Sequence, residues 1–150
     1  MALRKAVQEV RIKHPFTVNA WVLLPEHLHC IWTLPEGDQD YSLRWSLIKA
    51  GFSRETTRLR HGQESIGESR RKHREKSLWQ RRFWEHRIRD EQDYQSHFDT
   101  VHFNPLRHGL VARVQDWPFS TFHAYVKLGI YPEDWGGRAQ ALEDDRGFGE

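Results

Sequence analysis

Residues 19–35 (NAWVLLPEHLHCIWTLP) constrain the fold most strongly, because two apolar runs are separated there by Pro25-Glu26. Runs rich in β-branched and aromatic residues around a turn predict an antiparallel hairpin, with strands over residues 16–24 and 28–34. Alternate side chains of a strand share a face, which places His27 and His29 about 6.5–7 Å apart at the backbone. Two imidazoles at this spacing can converge on one metal ion, although ordinary solvated histidines fit the same pattern.

Two helices are predicted in the sequence that flanks this hairpin. Residues 2–13 place apolar side chains on one side among charges, which is typical of an amphipathic helix. Residues 42–60 also carry apolar side chains at helical spacing, with Ser42 as the expected N-cap. The expected apolar stripe of the first helix is Leu3, Val7, Val10 and Ile12. For the second helix the apolar stripe is Leu43, Leu47, Ile48 and Phe52, and the polar face is Arg44, Lys49, Arg54 and Arg58.

A third helix is predicted over residues 90–103, with Asp90 as its N-cap and Asp93 three residues later. The pair Asn104-Pro105 is expected to end this helix, because proline lacks the N–H that a helix interior needs. Tyr94 falls on its apolar stripe and is interpreted as a core residue. Residues 120–128 predict a final short helix. One domain over residues 1–136 is expected, followed by a disordered acidic tail over residues 137–150.

The overall charge is only +2, with a sequence pI of about 8.8, but the charges are segregated along the chain. Residues 70–89 are dense in Lys and Arg, and only Glu75 and Glu85 oppose them. A local basic stripe is what a polyanion-binding surface needs. Residues 61–76 contain almost no apolar side chain and predict a flexible charged loop. Residues 78–89 interleave aromatic residues with arginine and predict an extended segment.

The single cysteine, Cys30, excludes an internal disulfide and a cysteine-based zinc cluster. Its apolar neighbours indicate a buried strand residue rather than a reactive thiol. No apolar run reaches the roughly 18 residues that a membrane span requires, and the N-terminus lacks the hydrophobic segment of a secretion signal. A cytoplasmic protein without membrane contact is therefore expected.

Four ordered motifs carry a family resemblance: AWVLLPEHLHCIWTLPEGD, LWQRRFWEHRIRDEQDY, NPLRHGLV and DWPFSTFHAYVKLGIYPEDW. Together they resemble the REP-associated tyrosine transposases, which belong to the HUH class of single-stranded DNA transposases. The resemblance implies an α/β (α+β) fold, with a ferredoxin-like antiparallel sheet and helices on one face. It also implies transposition by cleavage and joining of single-stranded hairpin DNA, by a monomer or a homodimer.

The resemblance assigns a metal site to His27 and His29, which are the two histidines of the HUH motif. In the family they hold a divalent metal, usually magnesium or manganese, which polarises the scissile phosphate. Asn104 resembles the family's third ligand, an amide oxygen, but a helix C-cap before proline is an equally good interpretation. His97 and His102, on the same helix, fit either surface residues or additional metal ligands, and the surface interpretation is favoured.

The chain departs from the family pattern at the nucleophile. The family has Asp-Tyr-Ile-x-x-Asn-Pro, whereas this chain has Asp99-Thr100-Val101-His102-Phe103-Asn104-Pro105, so that Thr100 occupies the position of the catalytic tyrosine. Threonine is a much weaker acid than a phenol, whose pKa is about 10, and its side chain is too short to reach the same point. Impaired cleavage is therefore expected.

A second departure is at the N-terminus, where the family's first strand is missing and the chain starts almost directly in a helix. Either the natural product is longer, or another chain repairs the sheet, or the gene copy is decaying. The loss of both strand and nucleophile favours decay.

Arginine and tryptophan near the third helix are the expected DNA contacts, because arginine binds phosphate in a bidentate manner and tryptophan stacks on unpaired bases. For Trp79 and Phe83 a core position is favoured. A non-catalytic nucleic-acid-binding module without a metal, and a metal-dependent nuclease that uses water, remain alternatives. The DNA-contact set is Arg81, Arg82, Trp84, Arg87, Arg107 and His108.

Overall fold

The computed structural model describes residues 1–61 and 84–136, with the side chain of His61 left out. Its described elements are α1 (Ala2–Lys13), β1 (Thr17–Leu23), β2 (Leu28–Thr33), α2 (Tyr41–His61), α3 (Glu91–Arg107), one 3-10 turn (Val114–Asp116) and α4 (Phe122–Lys127). The fold is α+β, as predicted, and the sheet in the described residues has two antiparallel strands. The charged loop and the acidic tail predicted from the sequence fall almost wholly outside these residues.

The chain divides into two compact units, and the first contains α1 and α2. Leu3, Ala6, Val7 and Val10 are buried along α1, which confirms most of its predicted apolar stripe, whereas Ile12 is 79% exposed. The two helices pack closely where Gly51 of α2 faces Ala6. A Cβ built on Gly51 would lie 3.3 Å from the Cβ of Ala6, so a larger residue would force the helices apart.

Two predictions for α2 are wrong. The helix begins at Tyr41, and the carboxylate of Asp40 rather than Ser42 caps it, accepting the Leu43 N–H at 3.1 Å. Arg44 is not on a polar surface but is only 3% exposed. A buried guanidinium is stable here because its N–H groups all have acceptors nearby. They donate to the Asp38 carboxylate and to the carbonyls of His14, Pro15 and Asp40.

Of the predicted stripe of α2, Ile48 alone is fully buried, while Leu43 and Leu47 are exposed. Arg44 instead takes a buried position in α2, with its aliphatic stem covered and its guanidinium hydrogen-bonded. The hydrogen bonds of Arg44 also hold the pKa of the Asp38 carboxyl down, at about 2. The hydrogen bonds of Arg44 to the His14 and Pro15 carbonyls therefore connect the start of α2 to the chain that follows α1.

The second unit contains the predicted hairpin. Val22 lies opposite His29 and Leu23 opposite Leu28, and the Leu24 N–H donates to the His27 carbonyl at 2.9 Å to close the turn. The register is shifted between Val18 and Ala20, which indicates a β-bulge. Alternate side chains of β1 enter the core, as a half-buried strand requires.

Residues 117–121 bond to the edge of β1 that faces away from β2. The Leu23 N–H donates to Phe119, the Thr121 N–H donates to Trp21, and Ser120 forms an isolated bridge with Val22. The indole of Trp117 donates to the Leu23 carbonyl at 3.0 Å. Backbone groups that would be unpaired on this part of a two-stranded sheet are thus satisfied.

Helix α3 packs against the hairpin through Phe98, Val101 and Phe103. Its predicted N-cap is confirmed, because the Asp90 carboxylate accepts the Asp93 N–H at 2.8 Å. The predicted end at Asn104-Pro105 is wrong, because α3 continues to Arg107 with Pro105 inside it. Proline removes only the bond to the carbonyl four residues earlier and has a φ close to the helical value, so burial of this last turn keeps it helical.

Candidate metal and DNA-binding site

Three histidines of the second unit come together at the hairpin turn. His29 is on β2, His27 is in the turn that precedes it, and His108 is the C-cap of α3. The ring centroids of His27 and His29 are 4.8 Å apart, and those of His27 and His108 are 5.3 Å apart. One ring nitrogen from each residue lies within 4.8 Å of the other two. The structure therefore has a group of three nitrogen donors where the sequence predicted two.

The rings in this group meet edge to face, at 82° and 81°. The Nε2 atoms of His29 and His108 are shielded from solvent, whereas His27 is exposed. A group with one open side can bind an ion and still leave a position for a substrate oxygen. His108 was predicted as a DNA contact. Its spacing of four residues from Asn104 places both side chains on the same side of α3, and this spacing was the available sign of a shared site.

Asn104 is 3% exposed and lies one helical turn before His108. Its Nδ2 donates to the Thr100 carbonyl at 2.8 Å, so the amide group is fixed against the helix backbone. The C-cap interpretation of Asn104 is wrong, because α3 continues past it and His108 occupies the cap. Its Oδ1 is the atom that would act as an oxygen ligand.

Thr100 lies one turn before Asn104, and its hydroxyl donates to the Ser96 carbonyl at 2.8 Å. This is the usual way in which a threonine in a helix satisfies its hydroxyl. The proton that a nucleophile must lose is held by the helix backbone, and the hydrogen bonds of this hydroxyl include no basic side chain in the described residues.

Three tyrosines of this unit make hydrogen bonds or packing contacts within it. Tyr131 donates to the Asp99 carboxylate at 2.6 Å, and Tyr125 donates to the Asn19 carbonyl. Tyr94 packs against the hydrophobic core, as predicted, and burial raises its pKa. These phenols therefore serve the packing of the unit.

The prediction that His102 lies at the surface is wrong, because it is fully buried. Its Nδ1 lies 3.2 Å from the Tyr131 hydroxyl, and its Nε2 lies 2.7 Å from the hydroxyl of Thr121. Burial lowers the pKa of His102 to about 4, so the ring is neutral at physiological pH. His97 is also less exposed than predicted, with 12% of its side chain accessible, and its Nδ1 lies 3.1 Å from an oxygen of Asp93.

Of the predicted DNA contacts, some lie in the residues that the structure describes and others lie outside them. Trp84 is 57% exposed, Arg87 is exposed, and Arg107 is half-buried at the end of α3. Residues 84–89 form neither helix nor strand. Arg81, Arg82, Trp79 and Phe83 lie outside the described residues.

Cys30 lies on β2, as predicted, but it is partly rather than fully buried. Burial of its thiol raises the pKa of Cys30 to about 12. Among the described residues, no helix has the length and apolar character needed to cross a membrane.

Comparison with known proteins found two relatives of high identity. The chain is 50% identical over 135 residues to the REP-associated tyrosine transposase of Escherichia coli (strain K12), covering 90% of this chain and 72% of the relative. It is 44% identical over 134 residues to a putative REP-associated tyrosine transposase of Haemophilus influenzae (strain ATCC 51907 / DSM 11121 / KW20 / Rd), covering 89% and 74% respectively. No protein-family profile matches the chain.

A solved structure of a REP-associated tyrosine transposase bound to a REP hairpin is also similar. It has a TM-score of 0.74 and 49% identity, and the match covers 91% of this chain and 73% of that one. The α+β fold and the order of its elements therefore have a close counterpart of known structure.

Proposed function

The chain belongs to the family of REP-associated tyrosine transposases, and on this basis we propose that it binds single-stranded hairpin DNA at a divalent metal site with weak or no strand cleavage. The observation that carries the proposal is the group of three histidines, His27, His29 and His108. The relative of known structure that is bound to a REP hairpin supports the choice of DNA partner.

The donors of this group suit a transition metal. Imidazole nitrogens suit zinc, copper, iron and nickel best. Manganese favours oxygen ligands but, as a transition metal, accepts imidazole more readily than magnesium, which demands oxygen ligands and keeps several waters. Of the two ions expected from the resemblance, manganese therefore fits the three histidines better. Such an ion would withdraw charge from a phosphoryl oxygen of the bound strand.

Asn104 is proposed as a further ligand through its Oδ1. Its burial and the hydrogen bond from Nδ2 to Thr100 hold the amide in one orientation, which favours ligation by reducing the entropy lost on binding. His108 and Asn104 both come from the last turns of α3, while His27 and His29 come from the hairpin. The packing of α3 on the hairpin therefore decides whether the ligands meet.

Impaired cleavage is proposed from Thr100. A tyrosine at this position would carry a phenol, which is both a usable nucleophile and a usable leaving group for a covalent protein–DNA intermediate. The Thr100 hydroxyl is instead bonded to the Ser96 carbonyl, and it is a far weaker acid. The binding and metal sites would then remain in a protein that lacks the attacking group.

DNA contacts are proposed for two places along the chain. Trp84 offers an exposed ring for an unpaired base, and Arg87 and Arg107 offer guanidinium groups for phosphates. Arg81 and Arg82 belong to the same arginine-rich sequence. His108 is reassigned from DNA contact to metal ligand, because it lies beside His27.

A nicking assay tests the proposal directly. A labelled hairpin carrying a REP sequence is incubated with manganese and either the wild-type chain or the Thr100→Tyr variant. The wild type should bind the hairpin without nicking it, and the Thr100→Tyr variant should give a nicked product with a covalent protein–DNA adduct. A His27→Ala/His29→Ala variant on the Thr100→Tyr background is the matched control and should give no product.

Two other outcomes would contradict the proposal. Efficient nicking by the wild type with an adduct would mean that cleavage is not impaired, and nicking without an adduct would indicate a water nucleophile. If manganese titration gives the same heat for the wild type and for His27→Ala/His29→Ala, the chain is a DNA-binding module without a metal at this site.

A further inference from the structure

A second group of side chains with metal-ligating atoms lies at the beginning of α3, apart from the three histidines at the hairpin turn. It consists of His86, Asp93 and His97, each of which offers one donor atom within 4.8 Å of the other two. Nothing in the proposed DNA chemistry uses these residues as ligands. The group combines two imidazoles with one carboxylate, whereas the hairpin group consists of imidazoles alone.

Asp93 lies between the two histidines. The Nε2 atom of His86 is 2.8 Å from one carboxylate oxygen, and the Nδ1 atom of His97 is 3.1 Å from the other. The side chains are 26%, 11% and 12% exposed for His86, Asp93 and His97 respectively. Asp93 and His97 are therefore largely shielded from solvent, His86 is the most exposed of the three, and the donors already face one another.

The position of Asp93 is fixed from two directions. The Arg89 N–H donates to its Oδ2 at 2.9 Å, and its own backbone N–H is held by the Asp90 cap. Asp93 and His97 are four residues apart on α3 and share a face, while His86 comes from the chain before the helix. Hydrogen bonds that orient a ligand in this manner typically raise the affinity of a metal site.

The ionisation of Asp93 also suits a cation. The hydrogen bond from His86, followed by that from the Arg89 backbone, lowers the pKa of the Asp93 carboxyl to about 2. Asp93 therefore contributes a negative charge beside the two imidazoles.

We propose that His86, Asp93 and His97 form a second metal site, which takes a divalent transition ion of the zinc type. Two imidazoles and a carboxylate are a common ligand set for zinc, and three protein ligands leave a fourth position for water. Magnesium is disfavoured because it prefers an all-oxygen environment. The ion would replace the proton that now lies between His86 Nε2 and the Asp93 carboxylate. His97 Nδ1 also lies 2.8 Å from the Asp93 backbone carbonyl, and it would turn from that carbonyl to the ion.

Ion binding would fix the chain before α3 to the first turns of the helix. The His86 and His97 rings are stacked, with centroids 4.4 Å apart and planes 11° apart, so both must tilt to direct their nitrogens at one ion. Trp84 lies parallel to His86, with an interplanar angle of 5° and centroids 5.8 Å apart. The site would therefore orient Trp84, a consequence that rests on the proposed function because Trp84 is one of its DNA contacts.

Zinc binding by the full chain tests the second site. The variant His27→Ala/His29→Ala removes the hairpin group, and equilibrium dialysis should still find one bound zinc. Adding His86→Ala should weaken that binding by at least about tenfold, since one of three ligands is lost. Adding His123→Ala instead is the matched control, because His123 bonds to the Trp117 carbonyl and belongs to neither group. The zinc affinity of this control variant should equal that of His27→Ala/His29→Ala.

The proposal is overturned if His27→Ala/His29→Ala binds no zinc, or if His86→Ala leaves its zinc affinity unchanged. The three residues would then be an ion-pair group that supports the start of α3. Should His86→Ala unfold, side-chain nitrogen NMR of the wild type decides: zinc should shift His86 Nε2 and His97 Nδ1, and unshifted signals contradict the site. Loss of hairpin binding with zinc binding intact would contradict the proposed function alone.

Discussion

The ring of His108, at the end of α3, lies 5.3 Å from the ring of His27, at the turn before β2, and the two rings meet edge to face. This contact joins the helix that carries Thr100 and Asn104 to the hairpin that carries the two-histidine motif. The proposed metal site is thus assembled by tertiary packing, and it should respond to changes at either end of the pair.

Replacing His108 should weaken manganese binding. His108→Ala removes one of three nitrogen donors, and we expect the manganese affinity to fall by at least about tenfold, as measured by calorimetry. His123→Ala removes a histidine outside the group and should leave the affinity unchanged. Equal affinities for wild type and His108→Ala would place His108 outside the metal site.

Local sequence signals predicted the hairpin and the start of α3 correctly. The runs of β-branched and aromatic residues on either side of Pro25-Glu26 predicted the strands. Asp90 caps α3 by accepting the backbone N–H three residues later, a contact within one turn. Such features depend on neighbours in sequence, so a single chain is enough to predict them. The family resemblance likewise rested on contiguous motifs and is confirmed by the relatives.

Contacts between distant residues were not predictable in this way. Arg44 looked like a surface residue because its four hydrogen-bonded partners come from the end of α1 and the loop before α2. His102 looked equally exposed, although the hydrogen-bond partners of its ring, Thr121 and Tyr131, come from distant parts of the chain. The sequence near a polar residue does not indicate that the residue will be buried. Burial of its polar atoms becomes favourable only when their hydrogen-bond partners are in place.

Acidification should destabilise the fold through His102. Its pKa is lowered from 6.5 to about 4 by burial, so the unfolded chain binds a proton that the folded chain excludes between these values. The contribution is fully present above about pH 6.5 and declines as the pH falls, by up to about 3 kcal/mol near pH 4.

Urea unfolding at neutral pH and near pH 5 measures this loss for the wild type and for His102→Gln, which does not titrate. The variant should show a smaller difference between the two pH values. NMR titration of the His102 ring provides an independent check, and an apparent pKa near 6.5 in the folded chain would contradict the assignment.

The buried Arg44 should matter more for stability than an exposed arginine of the same helix. Arg44→Ala leaves Asp38 and three backbone carbonyls without their donor, and the free energy of unfolding should fall by about 2 kcal/mol or more. Arg58 pairs with Glu55 on the surface, so Arg58→Ala should have little effect. Chemical denaturation of both variants makes the comparison, and similar losses would show that Arg44 is not a structural anchor.

Two glycines with positive φ allow the energetic cost of backbone strain to be distinguished from that of steric overlap. Gly136 has a φ of +92°, and a Cβ built there would lie 2.4 Å from Cγ2 of Val114. Gly129 has a φ of +75° with nothing within 4 Å of the same position. In both Gly→Ala variants the free energy of unfolding should fall by about 1–2 kcal/mol, because alanine is strained in the left-handed conformation.

In Gly136→Ala alone the free energy of unfolding should fall by a further 1–3 kcal/mol or so, because Val114 is buried and has no room to move away. Thermal unfolding of the two variants measures the difference. Trp135, which packs against the core beside Gly136, should also become more accessible to quenchers in Gly136→Ala alone. Equal melting temperatures would mean that residues 131–136 can shift away from Val114 at no cost, and that Gly136 is needed only for its φ.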